Sequence, residues 1–419
     1  MTVTLRSLRS ILLSVAVLLA GHGLQLTLLP LEAQTFGWST SAIGLTGSAY
    51  YVGFILGCLS IPHLIRRVGH IRAHAVAVAV ATLAVLLASM FESFFFWLGL
   101  RFLTGWSLAS LYTVIESWLN EEVDDSRRGS VLAVYTMISL GAMVAGQALV
   151  EFDAFSLDEL FPIAAVLIVA AAIPVSLTER SQPTVPHEVQ IRWRAAFDAS
   201  QVGLVCAGLS GLVAGLLWSV GVVYAAEAFA DPAAGARFIA AVLIGGLVFQ
   251  FPMGRLSDLL DRRWIILLLG LIGSIASGLW VSGLLSGNAL YLVGFLCGGA
   301  AMPMYAISIA HANDNANGQF LQIASGMLMA NAIGAVLGPI GYGVAQWLRL
   351  EDALLSIVLA AFLASVLWTL LRIRSHPVTR EHFEPYQPLP KTSPEVLVMD
   401  PRGHEEEIDP NLGEALRSR

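Results

Sequence analysis

The chain has 419 residues, of which 56% are hydrophobic and only 13% are charged. Because a soluble domain carries about 25% charged residues, this composition excludes an ordinary water-soluble protein. The net charge of −7 argues against a nucleic-acid partner. The cysteines, Cys58, Cys206 and Cys297, lie far apart in long apolar runs, which excludes a disulfide framework and a CxxC metal pair.

Apolar runs long enough to cross a bilayer recur along the chain. A hydrocarbon core of about 30 Å requires about 20 mostly apolar residues in a helix. The first run follows Arg6 and Arg9, as in a signal peptide, but its length and its lack of a small-x-small cleavage site favour a membrane span. We therefore predict an all-α polytopic membrane protein with twelve transmembrane helices, at about 8–29, 41–64, 73–91, 94–118, 129–150, 159–177, 199–226, 236–253, 264–286, 289–311, 320–347 and 351–373.

Arginine is distributed unevenly between the two sets of alternating loops. If the N terminus is cytoplasmic, the outer loops carry only Arg237 and Arg349. The cytoplasmic loops then carry Arg66, Arg67, Arg72, Arg127, Arg128, Arg180, Arg192, Arg194, Arg255, Arg262 and Arg263. This asymmetry follows the positive-inside rule. It predicts a multi-pass protein of the inner (plasma) membrane with both termini in the cytoplasm.

A polar break divides the predicted spans six and six. It predicts two six-helix bundles, residues 1–177 and 199–375, joined by a cytoplasmic linker at 178–198. A shift of 193 residues superimposes identical residues of the two bundles: Gly105 on Gly298, Tyr112 on Tyr305, Asn120 on Asn313 and Gly141 on Gly334. These matches indicate an internal duplication with parallel halves, which in transporters places the binding site between the halves. Chance matches among glycine-rich helices are the alternative.

The last part of the chain, residues 376–419, has a different composition. It is rich in proline and in acidic residues and has few large apolar side chains. Burial of so little apolar surface does not offset the conformational entropy that the segment would lose on becoming ordered. We therefore predict a disordered cytoplasmic tail.

Charged turns follow the second and the eighth spans. The second of these turns contains Gly254-Arg255-Leu256-Ser257-Asp258, followed by Leu259-Leu260-Asp261-Arg262-Arg263. The earlier turn keeps Arg66, Arg67 and Gly69, but Arg66 stands at the position that corresponds to the aspartate. The fourth span carries Arg101-Phe-Leu-Thr-Gly105. Glycines also recur in the fifth and eleventh spans, at Gly141 and Gly146 and at Gly334, Gly338 and Gly341, with Pro339 beside them.

Taken in order along the twelve spans, these motifs resemble those of the major facilitator superfamily over about residues 8–375. The resemblance implies two pseudo-symmetric six-helix bundles around a central cavity lined by the first, fourth, seventh and tenth spans. It also implies a secondary transporter that works by alternating access. The first of the two charged turns is then a degenerate copy of the second.

We interpret the charged turns as a gate that holds the halves together on the cytoplasmic side. Carboxylates there can accept hydrogen bonds and arginines can pair with acids on neighbouring helix ends. Glu116 is assigned to the gate as a partner of Arg66 or Arg67, with a proton-carrying role as its alternative. Arginines that serve only to set the topology are the alternative for the turns. The candidate gating residues are Arg66, Arg67, Gly69, Glu116, Gly254, Arg255, Asp258, Arg262 and Arg263.

Small residues and one proline mark candidate pivots for the rocking of the halves. Small side chains allow helix backbones to approach closely, and proline removes a helix hydrogen bond. Simple packing is the alternative role. The candidate pivots are Gly141, Gly146, Gly334, Gly338 and Pro339.

Polar side chains inside spans are few, and each is a candidate functional residue. Arg101 stays charged, so we expect it to face a wet cavity, a carboxylate or an anionic substrate. His22 can bind substrate or carry a proton, with a packing role as the alternative. Aromatic cavity walls suit a planar or amphipathic solute. The candidate substrate-binding or coupling residues are His22, Gln25, Arg101, Tyr112, Trp218, Tyr224 and Tyr305.

The sequence therefore predicts a non-enzymatic secondary transporter for a small-molecule substrate, with a proton as the candidate coupling partner and the lipid bilayer as its surroundings. It contains no phosphate-binding loop for ATP and no paired catalytic groups or metal-ligand cluster, so we expect no cofactor and no metal. We expect it to function as a monomer. An exporter of drugs or toxic amphipathic compounds is one alternative, and a non-transporting membrane receptor or scaffold is another.

Overall fold

The computed structural model describes residues 8–123, 128–152, 154–177, 192–314, 320–350, 352–375 and 392–393. Within these ranges the chain is helical and forms twelve helices long and apolar enough to cross a membrane. The twelve predicted spans are confirmed, with helix ends that differ by a few residues. The helices are α1 (Arg9–Thr35), α2 (Thr40–Val68), α3 (His70–Ala88), α4 (Phe94–Glu122), α5 (Arg128–Ala148), α6 (Leu157–Ser176), α7 (Gln201–Ser219), α8 (Pro232–Leu259), α9 (Arg262–Val281), α10 (Ala289–Asn313), α11 (Phe320–Trp347) and α12 (Ala353–Ser375).

Helix starts are fixed by short polar side chains that satisfy free backbone N–H groups. The Ser39 side chain accepts a hydrogen bond from Ala42 N at the start of α2. Ser156 and Glu159 form a capping box at the start of α6. Asp231 caps α8, whose first residue is Pro232, where a missing N–H does no harm. These local signals separate consecutive spans that are otherwise almost continuously apolar.

Besides a 3-10 turn at Leu149–Glu151, two short α-helical segments lie outside this set of twelve. Gly221–Phe229 continues α7 after a break at Val220. Trp193–Ala199 precedes α7 and lies within the predicted linker. A Cβ built on Gly326 of α11 would lie 2.8 Å from Ala196 Cβ, so this segment packs directly on the second half. The rest of the linker, and all of the predicted tail except Thr392 and Ser393, lies outside the described residues.

The two halves repeat the same close contact between helices. A Cβ built on Gly105 of α4 would lie 1.9 Å from the Tyr50 carbonyl oxygen of α2. In the second half, a Cβ on Gly298 of α10 would lie 2.1 Å from the Val242 carbonyl oxygen of α8. The contact is therefore possible only for glycine in both halves. Its recurrence at a spacing of 192 to 193 residues supports the internal duplication.

The halves meet on the side of the bundle where α1 ends and α2 begins, here called the α1–α2 face. Ser48 Oγ of α2 donates to Val336 O of α11 at 2.8 Å. A Cβ on Gly47 would lie 2.3 Å from the Ser219 Cβ of α7. Arg237 also pairs with Glu151 of the other half at 3.6 Å. The structure is therefore closed at the α1–α2 face. The opposite side, where α2 ends and α3 begins, is called the α2–α3 face.

The close approach of α2 and α4 predicts a sharp difference between two glycines of α4. Gly105→Leu should lower the melting temperature of the purified protein strongly, because the side chain has to displace the backbone of α2. Gly99→Leu is the matched control, since no atom lies within 4 Å of a Cβ built there. Equal melting temperatures of the two variants, measured in the same detergent, would contradict the contact.

Candidate functional site

A cavity of about 1100 Å³, including its open mouth, lies between the two halves. The walls are mostly apolar and aromatic, with a few polar groups. They come from α1, α2, α4 and α5 of the first half and from α7, α8, α10 and α11 of the second.

Three of the predicted site residues line this cavity: His22, Tyr112 and Trp218. His22 lies at the middle of α1, where its Nε2 is 3.5 Å from the Tyr50 hydroxyl of α2. The two rings stack with centroids 5.9 Å apart. Trp218 lies on the other half and completes an aromatic wall. The cavity therefore combines a planar apolar surface with one imidazole and one phenol that can exchange hydrogen bonds.

Arg101 and Gln25 lie deeper, next to this wall. The guanidinium carbon of Arg101 is 4.9 Å from the centroid of the Tyr50 ring, a cation–π contact. Since Tyr50 lines the cavity, its ring stands between the arginine and the open space. The Gln25 side chain is buried near His22, and neither of its amide atoms makes a hydrogen bond of standard geometry with a described residue.

The two remaining candidates, Tyr305 and Tyr224, occupy different environments. Tyr305 is buried in α10 and lies within electrostatic range of Glu116 and Cys58 of the first half. It therefore sits where the halves face each other. Tyr224 follows α7, accepts a hydrogen bond from Trp280 Nε1 at 2.8 Å and donates to Asp352 at 3.1 Å. Its hydroxyl thus links three segments of the second half. The site assignments of both residues stay predictions.

Several polar residues that line the cavity escaped the sequence analysis. They are Thr136, Ser139, Gln250 and Asn331. Asn331 is held in place because its Nδ2 donates to Ala207 O at 2.9 Å. A signal existed, since an amide side chain in the middle of an apolar span is rare. The sequence does not give the direction in which each side chain faces, because that direction depends on the packing of helices that are far apart in the sequence.

The turn between α8 and α9 contains a buried ion pair. The Arg262 side chain is fully buried, with Nε 2.7 Å from Asp314 Oδ2 and Nη2 3.2 Å from Oδ1. Asp258 is a more distant partner at 3.8 Å. Asp314 follows α10, so the pair fastens the α8–α9 turn to another helix end of the same half. An action of this turn between the halves stays a prediction.

Asp261 and Arg263 form a second pair in the same turn. Arg263 Nη2 is 2.9 Å from Asp261 Oδ2, and Arg263 N donates to Oδ1 at 3.0 Å. Burial opposes ionisation of Asp261, but the hydrogen bonds from Arg263 hold the pKa of its carboxyl below its usual value. The ionised Asp261 carboxylate caps α9 by accepting the hydrogen bond from Arg263 N. Gly254 and Arg255, which the sequence analysis places in the turn, lie instead inside α8, which continues to Leu259.

The corresponding turn of the first half is simpler. Gly69 adopts φ of +84°, which favours glycine, and its N–H donates to Ile65 O. This conformation allows α3 to begin immediately after α2. Arg66 and Arg67 precede it and are exposed. Their proposed pairing with Glu116 stays a prediction.

Glu116, at the α2–α3 side of α4, is fully buried and accepts hydrogen bonds on both carboxylate oxygens. Tyr135 of α5 donates to Oε1 at 2.8 Å. Ser393, which follows α12 by 18 residues, donates to Oε2. Thr392 beside it lines the cavity. Although most of the predicted tail is outside the described residues, these two residues are buried.

The predicted pivots differ in how closely they pack. A Cβ on Gly146 would lie 1.9 Å from Ala20 O of α1, and one on Gly338 would lie 2.5 Å from Leu212 O of α7. Gly334 makes a similar contact with Gly208 O, whereas Gly141 has no atom within 4 Å. Pro339 lies next to Gly44 of the other half. A pivoting role for any of them stays a prediction.

Twelve spanning helices in two repeated halves around a central cavity define a polytopic membrane transport protein. A family model described as Major Facilitator Superfamily matches residues 11–200 and 203–402. The chain belongs to this superfamily and is a transporter of that type. A relative from Salmonella typhi named "Uncharacterized MFS-type transporter YcaD" is 26% identical over 352 residues, which cover 83% of this chain and 90% of the relative.

Solved structures of transporters share the fold. A nucleoside transporter, NupG, superposes with a TM-score of 0.69 at 13% identity, covering 88% of this chain and 98% of that chain. A bacterial homologue of the human lysosomal transporter Spinster, in an inward-facing and occupied conformation, gives 0.64 at 16% identity, covering 88% and 94%. At these identities the likeness shows the architecture alone.

The Arg262–Asp314 pair predicts that two acidic residues near Arg262 contribute unequally to the free energy of unfolding. Asp314→Asn leaves a buried guanidinium without its closest carboxylate and should cost about 3–5 kcal/mol in the free energy of unfolding. Asp258→Asn is the matched control and should cost less than about 1 kcal/mol, since this partly exposed acid is a distant partner. Unfolding curves of the two variants in one detergent measure the difference. A similar loss for both variants would show that the pair does not dominate this turn.

Proposed function

We propose that this protein is a secondary active transporter that moves a small organic solute across a bacterial inner membrane by alternating access. The observation that carries the proposal is the cavity between two repeated halves, closed by direct contacts at the α1–α2 face. A site at the interface of two rigid halves can be exposed to either side by rocking one half against the other.

The arginine distribution supplies the orientation in this proposal. The loops at the α2–α3 face carry most of the loop arginines, so this face is assigned to the cytoplasm. The contacts at the α1–α2 face then form the outer gate. With this assignment the structure is an inward-facing state, in which the cavity extends toward the cytoplasmic ends of α4 and α11.

The proposed site residues are those whose side chains reach the cavity from both halves. His22 and Tyr112 of the first half and Trp218 and Asn331 of the second can contact one solute at the same time. Contacts of this kind change when the halves rock, which is how binding shifts the balance between the two states. The Arg262–Asp314 and Arg263–Asp261 ion pairs each join residues of the second half and would move with it.

A disulfide across the outer gate tests alternating access. A Cβ on Gly343 of α11 would lie 3.9 Å from Ser41 Cβ of α2, close to the separation found in disulfides. The double variant Ser41→Cys/Gly343→Cys should lose transport on oxidation, because the outer gate can no longer open. Reduction should restore it. Ser41→Cys alone is the control and should be insensitive to oxidation.

Transport is measured in proteoliposomes that are supplied with a bacterial metabolite extract, followed by mass spectrometry of the accumulated solutes. We expect at least one solute to enter with the reduced double variant and to be excluded with the oxidised one. Equal uptake in both states would contradict alternating access through this gate. No protein-dependent uptake, together with solute binding, would favour a receptor instead.

A further inference from the structure

The charge of Arg101 has no counter-charge among the described residues. Its side chain is 6% exposed, and no described acid forms an ion pair with it. Its Nε and Nη1 have no hydrogen-bond partner there. The electrostatic partners that the structure gives it are the phenol groups of Tyr50 and Tyr51. A guanidinium is always protonated, so this charge cannot be removed by losing a proton.

The sequence left three environments open for Arg101: a wet cavity, a carboxylate of the protein, or an anionic substrate. The residues that the structure describes argue against a wet cavity and against a carboxylate of the protein, since the guanidinium is buried and its nearest partners are aromatic rings. The ring of Tyr50 covers the guanidinium and also lines the cavity. A rotation of this one side chain would expose the unused donors to a bound solute.

We propose that the substrate carries an anionic group, such as a carboxylate, which takes the place of the Tyr50 ring against Arg101. The unused Nε–H and Nη1–H groups of the guanidinium can each donate a hydrogen bond to an anionic oxygen. His22 lies beside Tyr50 and can donate a further hydrogen bond to the same group. This inference rests on the proposed function, because it assigns a substrate class to the same cavity.

The stability of the substrate-free protein tests whether another group of the protein already neutralises the charge of Arg101. If its partner is the substrate, Arg101→Gln should raise the melting temperature of the substrate-free protein by a few degrees, because an unpaired buried charge is removed. Arg374→Gln, at the exposed end of α12, is the control and should leave the melting temperature unchanged. A lower melting temperature for Arg101→Gln would overturn the proposal, since it would show that the fold itself needs the charge.

Matched ligand pairs test the substrate class directly. Benzoate and nicotinate differ from benzamide and nicotinamide in the negative charge, and melting shifts are measured with each at millimolar concentration. We expect the carboxylates to stabilise the wild type more than the amides do, and this difference to disappear in Arg101→Gln. Stabilisation by the amides alone would overturn the anionic class while leaving the cavity as a binding site. If no probe binds, the stability comparison decides; equal uptake by the oxidised and the reduced Ser41→Cys/Gly343→Cys variant would instead refute the proposed function.

An independent observation concerns Thr392 and Ser393. Ser393 donates to Glu116 of α4, and Thr392 lines the cavity with residues of both halves. Ser393 is separated from the last residue of α12 by 18 positions. An extended chain of that length reaches about 60 Å, so the connection is geometrically easy. This contact therefore links the end of the second half to a helix of the first half.

We infer that this segment is an autoinhibitory strap that occupies the α2–α3 side of the cavity and must leave before a solute enters from that side. The Ser393 hydroxyl supplies one of the donors to a fully buried carboxylate, and such contacts are strong. While the contact persists, Thr392 stays in the cavity between residues of both halves. The strap therefore slows both solute entry and the rocking of the halves.

Thiol labelling at the cavity wall tests the strap. Asn331→Cys, in a background with Cys58, Cys206 and Cys297 replaced by alanine, reports entry of a charged, membrane-impermeant maleimide. We expect truncation after Arg380 to raise the labelling rate about tenfold or more. Ser393→Asp should do the same, because a carboxylate opposite Glu116 repels it. Ser393→Thr keeps the hydroxyl and should label slowly, as the full-length chain does. Equal rates for all folded variants, verified by gel filtration, would overturn the strap.

Discussion

The structure depends on one constraint of the bilayer: every backbone polar group inside it needs a partner within the protein. The chain meets this constraint with helices, and glycine then decides how closely the helices pack. Gly105 against Tyr50 and Gly298 against Val242 bring backbones into direct contact in both halves. Since lipid tails are as apolar as leucine, close packing of this kind replaces the hydrophobic effect as the force between helices. Contacts of this kind make each half a closely packed unit.

The same constraint makes the few polar side chains informative. A polar group in a span requires a partner in the protein, water or a ligand. Three buried charged groups of this structure differ in the protein contacts that they make. Arg262 is satisfied by Asp314, and Glu116 is satisfied by Tyr135 and Ser393. Arg101 is covered by an aromatic ring. The ion pair lies within one half, whereas the proposals above give Arg101 and Glu116 partners that change when a solute enters.

The sequence predicted the spans, the duplication and part of the cavity, because apolar length and internal register are local properties. His22, Tyr112 and Trp218 were identified as isolated polar or aromatic residues on spans assigned to the cavity. Asn331 was not identified, because its orientation depends on how α11 packs against α7. The partner of Arg262 was equally inaccessible, since Asp314 lies 52 positions away along the chain. The burial of Thr392 and Ser393 could not be predicted from composition. Composition describes the tail as a whole, whereas the contact is made by two residues.

In the proposed mechanism, Arg101 and Glu116 have separate roles at two levels of α4. They lie on the same helix, 15 positions apart, which corresponds to about 22 Å along its axis. At the closed end the arginine has unused donors, so an anionic solute bound there gains most of its affinity from a group that the empty protein cannot satisfy. At the other end the carboxylate is already satisfied by hydroxyls, one of them from the strap. In this proposal, binding and access depend on different contacts, so the strap would control entry without competing with the solute for Arg101.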